Sequence, residues 1–202
     1  LDSASQIILA VKETRAYFNL PPVPDSEIYS LIGRPAKELF KADESNESNV
    51  PILLDYFRMT LEEKYMTVNK VFPFSEILLE NLTKNKCLIG IATSKPTYLA
   101  VKALNNSILN KFSMTIQGTD NFPSKPHPDV ILKCIQSLRT TINFMVGDRS
   151  EDMIAGKQAN CVTIGLEQGA HDRKLLTASG ADFVFSSIEE LNSELNRILE
   201  SF

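Results

Sequence analysis

Along the first seventy residues the apolar positions recur with the period of a helix. Ile7, Ile8, Val11, Ala16 and Phe18 fall broadly on that period, and the pattern stops at Asn19-Leu20-Pro21-Pro22, where proline cannot continue a helix. Asp25-Ser26 precedes a second, short helical pattern ending at Gly33, and Pro35 opens a third that runs to Phe40. The polar run Lys41 to Asn49 reads as a loop. Leu53, Leu54, Phe57, Met59, Leu61 and Tyr65 then mark a further amphipathic helix. No convincing strand interrupts this stretch, so residues 1–72 are expected to form a small helical unit.

The pattern changes after Phe72-Pro73-Phe74. Apolar runs of strand length at 87–92, 112–117, 143–146, 161–165 and 182–185 alternate with helical patterns at 76–84, 96–107, 128–138, 151–159, 171–178 and 187–200. Such alternation predicts an α/β fold with a parallel sheet over residues 73–202. Strands without in/out alternation are covered on both faces, which puts ligands at their carboxyl ends.

Composition narrows the possibilities. With 43% hydrophobic and 23% charged residues the 202-residue chain should fold, and 21 Lys plus Arg against 25 Asp plus Glu leaves no basic excess for a nucleic-acid or anionic lipid partner. Cys87, Cys134 and Cys161 are widely spaced and odd in number, which argues against a disulfide framework or a zinc cage and for a reducing cytoplasm. No apolar run approaches the roughly 18 residues that span a bilayer. The chain opens on Leu1 rather than Met, which predicts that a preceding segment has been removed.

Chemistry is therefore sought just after each strand. Thr93-Ser94-Lys95-Pro96 follows the first. Its hydroxyls can cap the next helix, and a helix start with free amides beside a hydroxyl can also hold a phosphate. After the second strand, Lys125 stands in Pro123-Ser124-Lys125-Pro126-His127-Pro128, where the prolines stiffen the stem of either a solvated lysine or a fixed cation. After the third comes Gly147-Asp148-Arg149-Ser150-Glu151-Asp152. Gly147 would allow close approach of a ligand, and Asp148 and Asp152 lie one helical turn apart, a spacing that can serve Mg²⁺. The alternative there is a capping box of Asp148 with Glu151. A parallel sheet brings the hydroxyl, the lysine and the carboxylates to one edge. Together they meet the needs of phosphoryl transfer: donors for the oxygens, a cation for their charge, and a metal site.

These strings resemble the haloacid dehalogenase superfamily, in particular its phosphoglycolate-phosphatase-like branch. Ile89-Gly90-Ile91-Ala92-Thr93-Ser94-Lys95-Pro96 resembles the second motif, Lys125-Pro126-His127-Pro128 the third, and Val146-Gly147-Asp148 with Asp152 the fourth. Leu1-Asp2-Ser3 resembles the residues just after the first motif, and Ile32-Gly33-Arg34-Pro35 part of the helical cap. The resemblance implies a Rossmann-like core over 73–202 with a helical cap over 1–72. It implies a Mg²⁺-dependent phosphatase of a small phosphorylated metabolite such as phosphoglycolate, working through an aspartyl-phosphate. Thr93 and Lys125 would be catalytic and phosphate-binding, Ser94 would bind phosphate through its amide, Asp148 and Asp152 would serve the metal, and Arg34 would read a second anion. The first motif, Asp-x-Asp-Gly-Thr on the central strand, would lie immediately upstream of Leu1, and neither of its aspartates is in this sequence.

Two alternatives stay open: a sugar-phosphate mutase of the same family, and a catalytically inactive phosphate-binding protein. The resemblance implies a cytoplasmic monomer or homodimer. His127 and His171 are expected to be turn histidines without a chemical role.

Overall fold

A computed structural model describes residues 1–40, 49–67, 69–112, 114–120 and 122–202. Most of the predicted loop 41–49 therefore lies outside the described residues. The chain divides into two compact units, one of Leu1–Val71 with Val101–Asn110 and one of Phe72–Ala100 with Lys111–Phe202.

In the first unit the described elements are helical: α1 (Ala4–Tyr17), α2 (Asp25–Leu31), a 3-10 turn (Ala36–Phe40) and α3 (Val50–Lys64). α1 packs on α3, burying Ile7, Ala10 and Val11 along with Leu53, Phe57 and Leu61. The buried stripe of α1 runs through Thr14 and Arg15 and leaves Ala16 exposed. Thr14 tolerates burial because its Oγ1 donates to Ala10 O at 2.8 Å, and Arg15 donates from Nε to Pro21 O at 2.6 Å. Buried Asn69 ties this unit's two chain segments together, donating from Nδ2 to Ala103 O at 2.9 Å and from its amide to Asn106 O at 2.7 Å.

The second unit alternates strands and helices: α4 (Ser75–Lys84), β1 (Ile89–Ala92), α5 (Thr97–Asn105, which ends in the first unit), β2 (Met114–Gln117), α6 (Asp129–Leu138), β3 (Phe144–Gly147), α7 (Ser150–Gln158), β4 (Val162–Leu166), α8 (Arg173–Ala178), β5 (Phe183–Phe185) and α9 (Ile188–Leu199). All pairing is parallel, in two pieces, β1-β2 and β3-β4-β5. Successive side chains on β4 face opposite layers. Thr163 meets α7 where Gly156 leaves room for it, and Ile164 joins Phe185, Leu191 and Ile198 beneath α9. One core joins the two pieces, with Val130 and Ile131 of α6, Met145 of β3 and Ala155 of α7 packed together and Ala92 of β1 against them. Among the described residues β1, β2, β3 and β5 each pair on one edge only. Coverage of both strand faces is incomplete, since Gly90 and Val146 are exposed.

Candidate active site

The first half of the site follows β1. Thr93 extends the pairing with β2 by one bond, its amide donating to Gln117 O at 3.0 Å, and its Oγ1 accepts the Lys95 amide at 3.2 Å. Residues 93–96 thus turn before α5 begins. The loop after β2 closes on that turn. Thr119 donates its amide to Lys95 O at 3.1 Å and its hydroxyl to Ser94 O at 2.8 Å. Asp120 accepts the Thr97 amide at 2.7 Å and the Thr97 hydroxyl at 2.5 Å, and that hydroxyl accepts the Gly118 amide at 2.9 Å. The free amide at the start of α5 is therefore satisfied by Asp120, not by Ser94. Ser94 Oγ is buried with no hydrogen-bond partner among the described residues. Gly118 is required by contact alone: a Cβ there would lie 2.3 Å from Lys95 O and 2.4 Å from Thr97 N.

Lys125 connects this half to the next. Its Nζ donates to Ala92 O at 3.1 Å and to Asp152 Oδ1 at 2.5 Å, with the two side chains only 12% and 8% exposed. A solvated lysine is thereby excluded. The other Asp152 oxygen accepts the amides of Asp148 and Arg149, both at 3.3 Å. Asp152, the third residue of α7, therefore caps that helix, in place of the alternative box of Asp148 with Glu151. Its carboxylate packs against Gly147, within 2.4 Å of where a Cβ would stand.

Asp148 lies at the carboxyl end of β3. Its Oδ2 accepts the Ala170 amide at 2.9 Å, and Oδ1 takes no hydrogen bond from the described residues. Lys95 belongs to the same cluster. Burial pushes its ammonium down to about 8, the Lys125 charge pushes the same way, Asp148 opposes and Arg149 adds to the lowering.

The fit of this cluster to a hard divalent cation is specific. Mg²⁺ takes one or two carboxylates and fills its other positions with water and substrate oxygens. Asp148, with one oxygen held and one open at the strand end, fits. Asp152 does not fit as a direct ligand, because both its oxygens are engaged; its place is to hold Lys125 and the strand-end amides. Among the described residues no group of three or more His, Cys, Asp or Glu forms a closed metal cage.

The structure thus brings Thr93, Ser94, Lys125, Asp148 and Asp152 together in one unit. Arg34 lies in the helical unit, half-exposed, with its guanidinium 3.8 Å from Glu38. His127 is exposed in a turn, its amide donating to Ser124 O at 3.1 Å. His171 is not the first residue of a helix, as its position in the 171–178 pattern suggested. Asp172 caps α8, accepting the Leu175 amide at 2.9 Å, and the His171 ring accepts the Ser150 amide at Nδ1, 2.8 Å away. The cysteines are free, and burial pushes the Cys161 thiol up to about 11, so it is no nucleophile. Sequence reasoning assigned no role to Lys95, Arg149, Asp120, Gly169 or His171. Lys95 stood inside a quoted string, but nothing in the spacing tells where its ammonium ends.

Comparison with known proteins now bears on this arrangement. Residues 1–166 match the family of haloacid dehalogenase-like hydrolases. The chain belongs to that family. It is 24% identical over 203 residues to a phosphoglycolate phosphatase of Vibrio parahaemolyticus, covering 95% of this chain and 89% of that one. A phosphoglycolate phosphatase of Yersinia pseudotuberculosis is 27% identical over 204 residues, covering 95% and 86%. The crystal structure of a predicted phosphatase from Clostridium acetobutylicum superposes with a TM-score of 0.84 at 29% identity, covering 97% of this chain and 93% of the other. That of a hydrolase from Pseudomonas syringae gives 0.79 at 25% identity, covering 98% and 93%.

Proposed function

We propose that this chain carries the phosphate-binding half of a Mg²⁺-dependent phosphatase acting on a small phosphate monoester, with phosphoglycolate the leading candidate because the curated relatives above bear that name. The observation that carries the reading is the Lys125 ammonium, fixed between the last carbonyl of β1 and Asp152, beside the Thr93 turn. A buried, immobilised cation next to a strand-end hydroxyl and the Ser94 amide is preorganised for the charge that grows on phosphoryl oxygens.

In this reading Thr93 and the Ser94 amide bind those oxygens and Lys125 neutralises them. Asp152 keeps Lys125 from swinging away. Asp148 would hold Mg²⁺, which when bound spreads the phosphoryl charge and orients its oxygens. The family resemblance assigns attack on phosphorus to an aspartate of the first motif, giving an aspartyl-phosphate that water hydrolyses. No Asp-x-Asp occurs in the 202 residues. The helical unit, with Arg34, is proposed to select the remainder of the substrate.

The test is phosphate release from a panel of monoesters, including phosphoglycolate and a hexose 1-phosphate, with and without Mg²⁺. Protein expressed from the full gene is run beside the 202-residue chain. Mg²⁺-dependent release by the longer protein is expected. Transfer of the phosphoryl group to a second sugar position without free phosphate would move the reading to a mutase, and inactivity of both proteins would move it to a phosphate-binding role. Asp148→Asn in the active protein should weaken Mg²⁺ binding and turnover together; an unchanged metal titration would remove Asp148 from the metal site.

A further inference from the structure

We propose that the loop between β4 and α8 is a positioning clamp for Asp148, through Gly169, Ala170 and His171, holding one carboxylate oxygen and presenting the other. The inference rests on the reading of Asp148 as the metal-holding residue and deepens it.

Three contacts build the clamp. The Ala170 amide donates to Asp148 Oδ2 at 2.9 Å, and the His171 amide donates to the Asp148 carbonyl at 3.0 Å. The His171 ring then reaches past Asp148 and accepts the Ser150 amide at 2.8 Å, which pins the start of α7 to the same loop. Since Nδ1 is the acceptor, the ring proton sits on Nε2. Gly169 makes the fit possible. Its backbone is not in the left-handed region, so what opposes a side chain there is Asp148 itself, whose Cβ and Oδ2 would lie 2.2 and 2.3 Å from an added Cβ. A methyl at position 169 therefore acts as a wedge against one carboxylate. Partners of this kind, one step removed from a metal, set the orientation of its ligand, and their loss weakens metal affinity by about 10- to 100-fold.

The test is calorimetric titration of Mg²⁺ into the complete protein, with the unfolding midpoint measured in the absence of metal. Gly169→Ala is expected to raise the Mg²⁺ Kd by at least about tenfold. His171→Leu, which fills the space but accepts no hydrogen bond, should also raise it. His171→Asn, which places Oδ1 where Nδ1 was, should restore it to within about threefold of the unmodified protein, a recovery that a packing role would not produce. If Asp148→Asn abolishes binding while Gly169→Ala and His171→Leu bind Mg²⁺ normally, the clamp is overturned and the metal reading stands. If Asp148→Asn also binds normally, both fall. Should Gly169→Ala fail to fold, the Leu and Asn variants of His171 decide the question alone.

Discussion

The two halves of the site are the same device made from different parts. In each, a chemistry-bearing turn after one strand is clasped by the loop after its neighbour: residues 93–97 by 118–120, and residues 148–150 by 169–171. On the β1 side the clasp uses the Thr119 and Gly118 amides with the Thr119 hydroxyl and the Asp120 carboxylate, and Gly118 presses on main chain. On the β3 side it uses amides and an imidazole, and Gly169 presses on a carboxylate. Rotation of a carboxylate does not move its Cβ, and the Asp148 Cβ is the atom nearest an added methyl at position 169, so neither contact yields cheaply. Equivalent substitutions should therefore cost stability in both halves and disturb ligand chemistry on the β3 side as well.

The largest effect is expected where the halves are joined. Lys125→Ala removes the bonds to Ala92 and Asp152 and the cation offered to the phosphoryl group, so turnover of the complete enzyme should fall by about 10²- to 10³-fold. Near-normal rates would separate Lys125 from the chemistry. Next, Gly118→Ala should cost about 1–3 kcal/mol of stability, because the methyl meets main-chain atoms. Gly169→Ala should lower the unfolding midpoint too, and only that substitution should also weaken Mg²⁺ binding; an equal loss of Mg²⁺ affinity in Gly118→Ala would erase the contrast. Asp120→Ala should cost about 1 kcal/mol by orphaning the Thr97 amide and hydroxyl, and should weaken binding of inorganic phosphate with little change in Mg²⁺ affinity. A matching loss of Mg²⁺ affinity would show that the halves do not act separately.

The smallest effect concerns pH. The Lys95 ammonium, held near 8 by burial, carries its charge below that pH and loses it above. Inhibition by inorganic phosphate should weaken a few-fold as pH rises through about 8, and Lys95→Met should flatten that limb. Stability moves the other way. The unfolded chain keeps this proton up to about 10.5, so the folded form gains as pH climbs from about 8 toward that value.

What the sequence made legible was local. The helical pattern at 187–200 marks α9, and the structure starts that helix with its own caps: the Ser187 hydroxyl accepts the Glu190 amide at 3.2 Å, while the Glu190 carboxylate accepts the Ser186 amide at 2.6 Å. Short apolar runs bounded by turns located all five described strands. Thr93 and Asp148 were singled out because they directly follow such runs, and Lys125 because prolines flank it. The clasping loops were opaque. That Asp120 reaches back to Thr97 and His171 to Ser150 depends on where neighbouring strands deliver their loops, over separations of 23 and 21 residues. The α1 stripe was misplaced at Ala16, which is exposed; the buried face runs instead through Thr14, whose hydroxyl is satisfied by the Ala10 carbonyl, and Arg15.

The one-sided pairing of β1 and β3 bears on how the molecule behaves as a material. Ile89–Ala92 and Phe144–Gly147 each leave a row of amides and carbonyls unmatched by any strand among the described residues, and a bare row of that kind templates pairing with another chain. The same one-sidedness holds for β2 and β5, so among the described residues four strands offer a border to which another chain can add. Light scattering that grows with protein concentration is the behaviour expected of such borders, and its absence would show them to be covered.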